Sequence, residues 1–194
     1  MLTKLTSKLA HWVYQKPRII KYRLLSTCKN VSGRFTRNQP VIFHGKGKVI
    51  FAGGGKLGYR FSAGFYEGVI YIEARNAESK IQFGKDVRIN NNVTFVSEGA
   101  GIHIGQNVFI GMNCLFMDTD GHPLSVDARN SLQTPSTAPI TIGDNVFIGA
   151  NITVLKGVTI GDNTVVAAGS LVTKSLPANT VCGGSPATVL RTLS

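Results

Sequence analysis

Acidic residues are missing from the first third of this sequence. No aspartate or glutamate precedes Glu67, whereas thirteen lysines and arginines do. The remainder carries eight basic and ten acidic side chains, so the net charge of +11 belongs to the N-terminal segment rather than to the body. Cysteine is scarce as well. Cys28, Cys114 and Cys182 are far apart and form no CxxC or Cys/His ligand spacing, which argues against a disulfide framework and against a zinc site. Nowhere do roughly 18 apolar residues run together, and the N-terminus has no long apolar leader core, so we expect no membrane span and a reducing, cytoplasmic compartment.

What the sequence does contain is a beat of six. Ile142, Ile148, Val154, Ile160, Val166 and Val172 follow one another without a slip, and a small or β-branched residue comes four positions after each of the first five. A period of six fits neither an α-helix nor an ordinary strand. It fits a solenoid of short strands, each hexapeptide sending one large apolar side chain inward. The corners then need residues that tolerate φ > 0, and Gly, Asn and Asp occupy those positions. The same beat runs through Phe83, Val87, Ile89 and Val93, slips by three around residues 97–101, and resumes at Ile104, Ile110 and Phe116. Cys114 falls on an inward position and is expected to pack in the core. Between Phe116 and Ile142 the register predicts an inserted loop, residues 119–139, holding Asp118, Asp120, His122 and Asp127 at or near it. A long loop in a compact fold is a place to look for function.

The rest divides around this body. Residues 1–29 read as one or two amphipathic helices: Leu2, Leu5, Leu9, Trp12 and Val13 keep helical spacing, and Pro17 begins a second segment with Ile19, Ile20, Leu24 and Leu25. Two readings stay open for this arm. It docks peripherally on an anionic membrane surface, or it packs on the solenoid or a neighbouring subunit. No aromatic platform or nucleic-acid motif accompanies the charge, so no nucleic-acid partner is expected. Residues 30–40 read as a linker, 41–180 as the solenoid with degenerate first coils, and 181–194 as a closing segment. The triple glycine at Gly53 is not followed by the Lys-Ser/Thr of a phosphate loop and reads as a turn.

Residues 83–191 resemble the hexapeptide-repeat acyltransferase superfamily. The Asp120-Gly121-His122-Pro123 stretch is similar to its sugar O-acetyltransferase branch, which includes maltose, galactoside and polysaccharide acetyltransferases. The resemblance implies an all-β solenoid, a left-handed parallel β-helix of about 18 residues per three-sided coil, assembled as a homotrimer with active sites between subunits. It implies acetyl-CoA as acyl donor and no metal. By position, His122 matches the catalytic base and Asn90 an acceptor-binding residue. Ala150 and Ala168 match backbone along the pantetheine arm, and Thr173, Lys174 and Arg191 the region that handles the nucleotide end. Two positions depart from the pattern: Phe147 stands where the branch commonly has Trp, and Thr188 where a basic residue is frequent.

The chemistry fits these residue types. A sugar hydroxyl is a poor nucleophile until its proton is taken, and neutral imidazole suits that task near neutral pH. The developing oxyanion needs a donor, most simply a backbone N–H such as that of Ala150. Asp120 or a backbone carbonyl would orient the ring. No Ser or Cys has an evident activating partner, so direct transfer is expected. His103 is predicted to point outward, and His11 and His44 lie in no motif. The sequence therefore points to an acetyl-CoA-dependent O-acetyltransferase acting on a sugar, in a surface polysaccharide or its precursor. A free sugar or antibiotic acceptor and a non-enzymatic scaffold are the alternatives. A γ-type carbonic anhydrase would need three metal-binding histidines, and only His103 and His122 lie in the regular region.

Overall fold

Each large aliphatic of the six-residue beat points into a three-sided tube. Ile142, Ile148, Val154, Ile160, Val166 and Val172 are all fully buried. The computed structural model describes Leu9, residues 11–131 and residues 133–193. Leu2, Lys4, Leu5 and Lys8 of the expected amphipathic pattern lie outside the described residues.

The first face stacks β1 (Val31–Ser32), β4 (Lys48–Phe51), β7 (Lys80–Phe83), β10 (Ile102–Ile104), β13 (Ile140–Ile142) and β16 (Thr159–Ile160). The second holds β2 (Phe35–Arg37), β5 (Gly55–Leu57), β8 (Arg88–Ile89), β11 (Phe109–Ile110), β14 (Phe147–Ile148), β17 (Val165–Val166), β19 (Thr180–Gly184) and β20 (Ala187–Thr192). The third holds β3 (Val41–Gly45), β6 (Ile70–Ala74), β9 (Thr94–Ser97), β12 (Leu115–Met117), β15 (Thr153–Val154) and β18 (Leu171–Val172). Pairing is parallel throughout except where β20 turns back on β19 and closes the C-terminal end. This is the expected left-handed parallel β-helix.

The corners explain the asparagines. Asn107, Asn145, Asn163 and Asn179 all have φ between 54 and 59°, a left-handed conformation that costs Asn less than most residues. Their side chains also form a ladder, each Nδ2 donating to the next Oδ1 at 2.8–3.2 Å. Asn92, Asn113 and Asn151 make a second ladder on the next edge. The core changes character along the axis. Toward the N-terminus it is a run of rings, with Phe35 on Phe51 at 4.3 Å, Phe51 on Phe83 at 4.5 Å and Phe95 on Phe116 at 4.7 Å.

One boundary differs from expectation. Residues 30–40 are not a linker: Val31 pairs with Val49 and Phe35 with Gly55, so a first coil begins at Val31. Most of its polar residues are exposed, Gln39 being the buried exception, and the short strands offered too few apolar positions to betray a period. The N-terminal arm comprises a π-helical turn, His11–Gln15, running into α1 (Lys16–Leu24).

Candidate active site

The residues singled out from the sequence fall on two edges of the prism. Asp120, His122, Thr173 and Lys174 lie where the chain passes from the third face to the first. Asn90, Ala150 and Ala168 lie where it passes from the second to the third. Within one protomer the width of the third face separates the two groups. Arg191 sits elsewhere, exposed on β20, so the structure does not bring it to Lys174.

On the third–first edge the inserted loop projects from a clamped base. Asp118 N–H and C=O bond to Val96 and Ala138 across the base at 3.2 and 2.9 Å, Thr119 bridges Thr137, and Asp120 N–H donates to Ser136 O at 3.1 Å. Asp118 is fully buried. Its carboxylate accepts the Ser97 hydroxyl at 2.7 Å and the N–H groups of Glu98 and Gly101 at 2.7 and 2.6 Å. The register slip at residues 97–101 is thus the corner that this carboxylate holds open. Lys156, one coil on, pairs with Asp120 at 3.2 Å and donates to Ser136 Oγ at 2.8 Å.

A second chain of contacts reaches the residue beside the imidazole. Gly121 N–H donates to Thr119 Oγ1 at 3.0 Å, and that hydroxyl donates to Glu98 Oε2 at 2.8 Å. Arg75 pairs with Glu98 and Glu73, both at 2.9 Å, and Tyr71 donates its hydroxyl to Glu73 at 3.0 Å. Burial pushes the Glu73 carboxyl up, but the Arg75 guanidinium and the Tyr71 hydroxyl outweigh it and hold the group below the usual carboxylate range. His122 follows Gly121, whose φ is +75°, and its ring is exposed. The sequence reading had Asp120 as one candidate to orient that ring. Asp120 is instead turned to Lys156, and among the described residues no hydrogen bond joins it to His122.

On the second–third edge the wall is stripped to backbone. A Cβ at Gly149 would lie 2.7 Å from Ala168 N, so only glycine lets the coils stack here. Among the described residues the N–H groups of Ala150 and Ala168 donate no hydrogen bond, whereas their neighbours Gly149 and Ala167 are paired. Asn90 is half-buried, accepts the Asn91 N–H at 2.8 Å, and leaves its amide nitrogen without a partner among the described residues. It borders a groove of about 440 Å³ on the second face, with Tyr59, Arg88, Phe109, Gly111 and Phe147. The Arg88 guanidinium lies 4.8 Å from the Phe109 ring centroid.

Two features escaped the sequence reading. The loop of residues 58–69 hangs over this edge, organised by the fully buried Asn91, which donates to the carbonyls of Tyr59, Ser62 and Ala63. A twelve-residue interruption of the beat was its only signal. Lys156 was the other, and nothing in its own hexapeptide marks it. Cys114 packs where the register put it; burial pushes its thiol up to about 11, and it faces Gly149 O at 3.1 Å. No group of three or more His, Cys, Asp or Glu that could hold a metal ion occurs among the described residues.

Comparison with known proteins follows the same division. A family model described as the hexapeptide repeat of succinyl-transferase matches residues 99–117 and 139–174, so its gap falls on the projecting loop. The galactoside O-acetyltransferase of Escherichia coli K12 is 41% identical over 116 residues, 60% of this chain and 56% of that protein. A maltose O-acetyltransferase from Clostridium difficile is 37% identical over 59% of each chain, with a TM-score of 0.54. A hexapeptide-repeat acetyltransferase from Vibrio cholerae, solved with acetyl coenzyme A, is 30% identical over 92% of this chain and 77% of its own, with a TM-score of 0.59. The chain spans 52–58% of the length of the curated relatives it matches first.

Proposed function

The chain belongs to the hexapeptide-repeat acyltransferase superfamily, in its sugar O-acetyltransferase branch, and on that premise we propose that it moves an acetyl group from acetyl-CoA to a sugar hydroxyl. The observation that carries this reading is the division of labour between edges. One presents an exposed imidazole on a clamped loop, and the other presents two unengaged backbone N–H groups and the unpartnered amide nitrogen of Asn90.

In the proposed reaction Asn90 orients the acceptor and His122 takes the hydroxyl proton as the oxygen attacks the thioester carbonyl. The tetrahedral oxyanion is met by a backbone donor, Ala150 N–H being the free one nearest in kind to that task. Collapse breaks the C–S bond. The thiolate leaves, takes the proton from imidazolium, and departs as coenzyme A beside the new ester. Ala168 lies along the pantetheine arm, while Thr173 and Lys174 serve the nucleotide end.

Because the two edges are a face apart, His122 of one protomer needs the second–third edge of another. A cyclic homotrimer would supply that three times over. The acceptor we favour is a surface polysaccharide or its precursor, handled in the cytoplasm. Incubating the protein with acetyl-CoA and a panel of glycans tests the whole reading. Release of coenzyme A matched by an O-acetylated product supports it, and indifference to acetyl-CoA across the panel contradicts it. Mixing inactive His122→Ala and Asn90→Ala chains tests the shared site, since only assemblies containing both regain an intact pair.

A further inference from the structure

The helical arm is built inside out. A surface helix ordinarily turns an apolar stripe inward and its charges to water. Here the anchoring contacts are polar. Gln15 is fully buried and donates to the carbonyls of Asn38 and Phe65 at 3.1 and 2.8 Å. Arg18 donates to Gln15 Oε1 at 2.9 Å and to Gly68 O at 2.8 Å, and the His11 ring stacks on Phe65. The outward side carries Leu9, Trp12, Val13, Ile20, Leu24 and Leu25, with Trp12 68% and Leu24 81% exposed. Lys16 and Lys21 line the same trough, and Arg23 is exposed beside it.

An apolar stripe of this length costs free energy in water and implies something that covers it. Charge decides what. The arm has basic residues and no acidic one, nor does any residue before Glu67. A second copy docked arm to arm would set Lys16 and Lys21 against their own counterparts. An anionic bilayer answers both features at once, taking Trp12, Ile20 and Leu24 below the headgroups and the lysines at phosphate level. No helix among the described residues is long and apolar enough to cross a membrane, so the arm would lie in the interface.

We propose that Leu9 and residues 11–25 form an interfacial anchor that docks the protein on an anionic lipid surface. The arm's hydrogen bonds run to the loop of residues 58–69, which Asn91 ties to the edge bearing Asn90. Docking therefore sets the proposed acceptor-binding edge beside the headgroups, where a lipid-linked glycan would be within reach. That last consequence rests on the proposed function, whereas lipid binding itself does not and is read without acetyl-CoA or acceptor.

The test uses the full chain with phosphatidylcholine vesicles and with mixed phosphatidylcholine–phosphatidylglycerol vesicles. Trp12 is the single tryptophan, so its emission reports the arm directly. Flotation with the anionic vesicles only, a blue shift of Trp12, and quenching by brominated acyl chains are expected. Replacing both Lys16 and Lys21 by Glu should weaken binding by about tenfold or more, and raised salt should act in the same direction. Ile20→Asp with Leu24→Asp changes only exposed positions and should abolish flotation while leaving the melting temperature and the assembly mass unchanged. Absence of binding to either vesicle, or equal binding to both, overturns the proposal. A fall in assembly mass in the Ile20→Asp, Leu24→Asp variant assigns the face to a second copy and overturns it too. If that variant fails to fold, wild-type Trp12 quenching decides the matter alone.

Discussion

The ammonium of Lys156 lies 3.2 Å from the Asp120 carboxylate, and it also holds Ser136 on the returning arm of the same loop. The two side chains are partly buried, 27% and 18% exposed; such a pair contributes about 1 kcal/mol to folding, yet it fixes the angle at which the next two residues leave the wall. Lys156→Met should therefore lower kcat by about tenfold with KM for acetyl-CoA unchanged and Tm within about 3 °C of wild type. Asp120→Asn should reproduce the effect, and the double variant should add almost nothing. Steady-state kinetics with a thermal melt checks all three.

Asp118 is the opposite case, a carboxylate with no access to water whose acceptor capacity is met by one hydroxyl and two backbone N–H groups. Asp118→Ala leaves those partly buried N–H groups without a partner and should cost about 2–3 kcal/mol. Ser97→Ala removes one contact and should cost about 1 kcal/mol. Urea unfolding measures both.

Gly121 and Gly149 are glycines for different reasons. A Cβ at Gly121 meets nothing within 4 Å, so Gly121→Ala is opposed only by its φ of +75°, a cost of about 1–2 kcal/mol that Gly121→Asn should partly recover. The expected sign of the displaced loop is a lower kcat. Gly149→Ala drives a Cβ into backbone atoms of the next coil, and its effect should appear as lost stability in the melt.

The Glu73–Arg75–Glu98 chain sets a pH dependence. The folded-state pKa of Glu73 is held below its ordinary value. Its contribution is therefore complete above the unfolded value, about 4.3, and is lost as pH falls through the folded one. Glu73→Gln should lower Tm near neutrality, and the gap to wild type should close as the pH drops below about 4. Melts across that range test the sign.

The solenoid was legible because burial on the inside of a repeating coil imposes one inward side chain every six residues, and Ile142 to Val172 obey without exception. The loop was legible as a break in that beat, and Cys114 as a member of it. The triple Asn90-Asn91-Asn92 was not separable by sequence. Asn92 takes the left-handed corner, Asn91 folds a distant loop around its amide, and Asn90 alone faces the groove. Each job favours the same residue, so composition cannot divide them. Lys156 and Asp120 lie far apart in the chain and carry no local pattern, because their relation exists only once the coils are stacked.

The imidazole of His122 bears the weight of the functional reading. The most direct measurement compares His122→Ala with wild type for acetyl transfer, with acetyl-CoA binding measured on both. A fall in kcat of about 10²–10⁴ with an unchanged Kd for acetyl-CoA is expected. Transfer that proceeds at the wild-type rate without that ring would contradict the account.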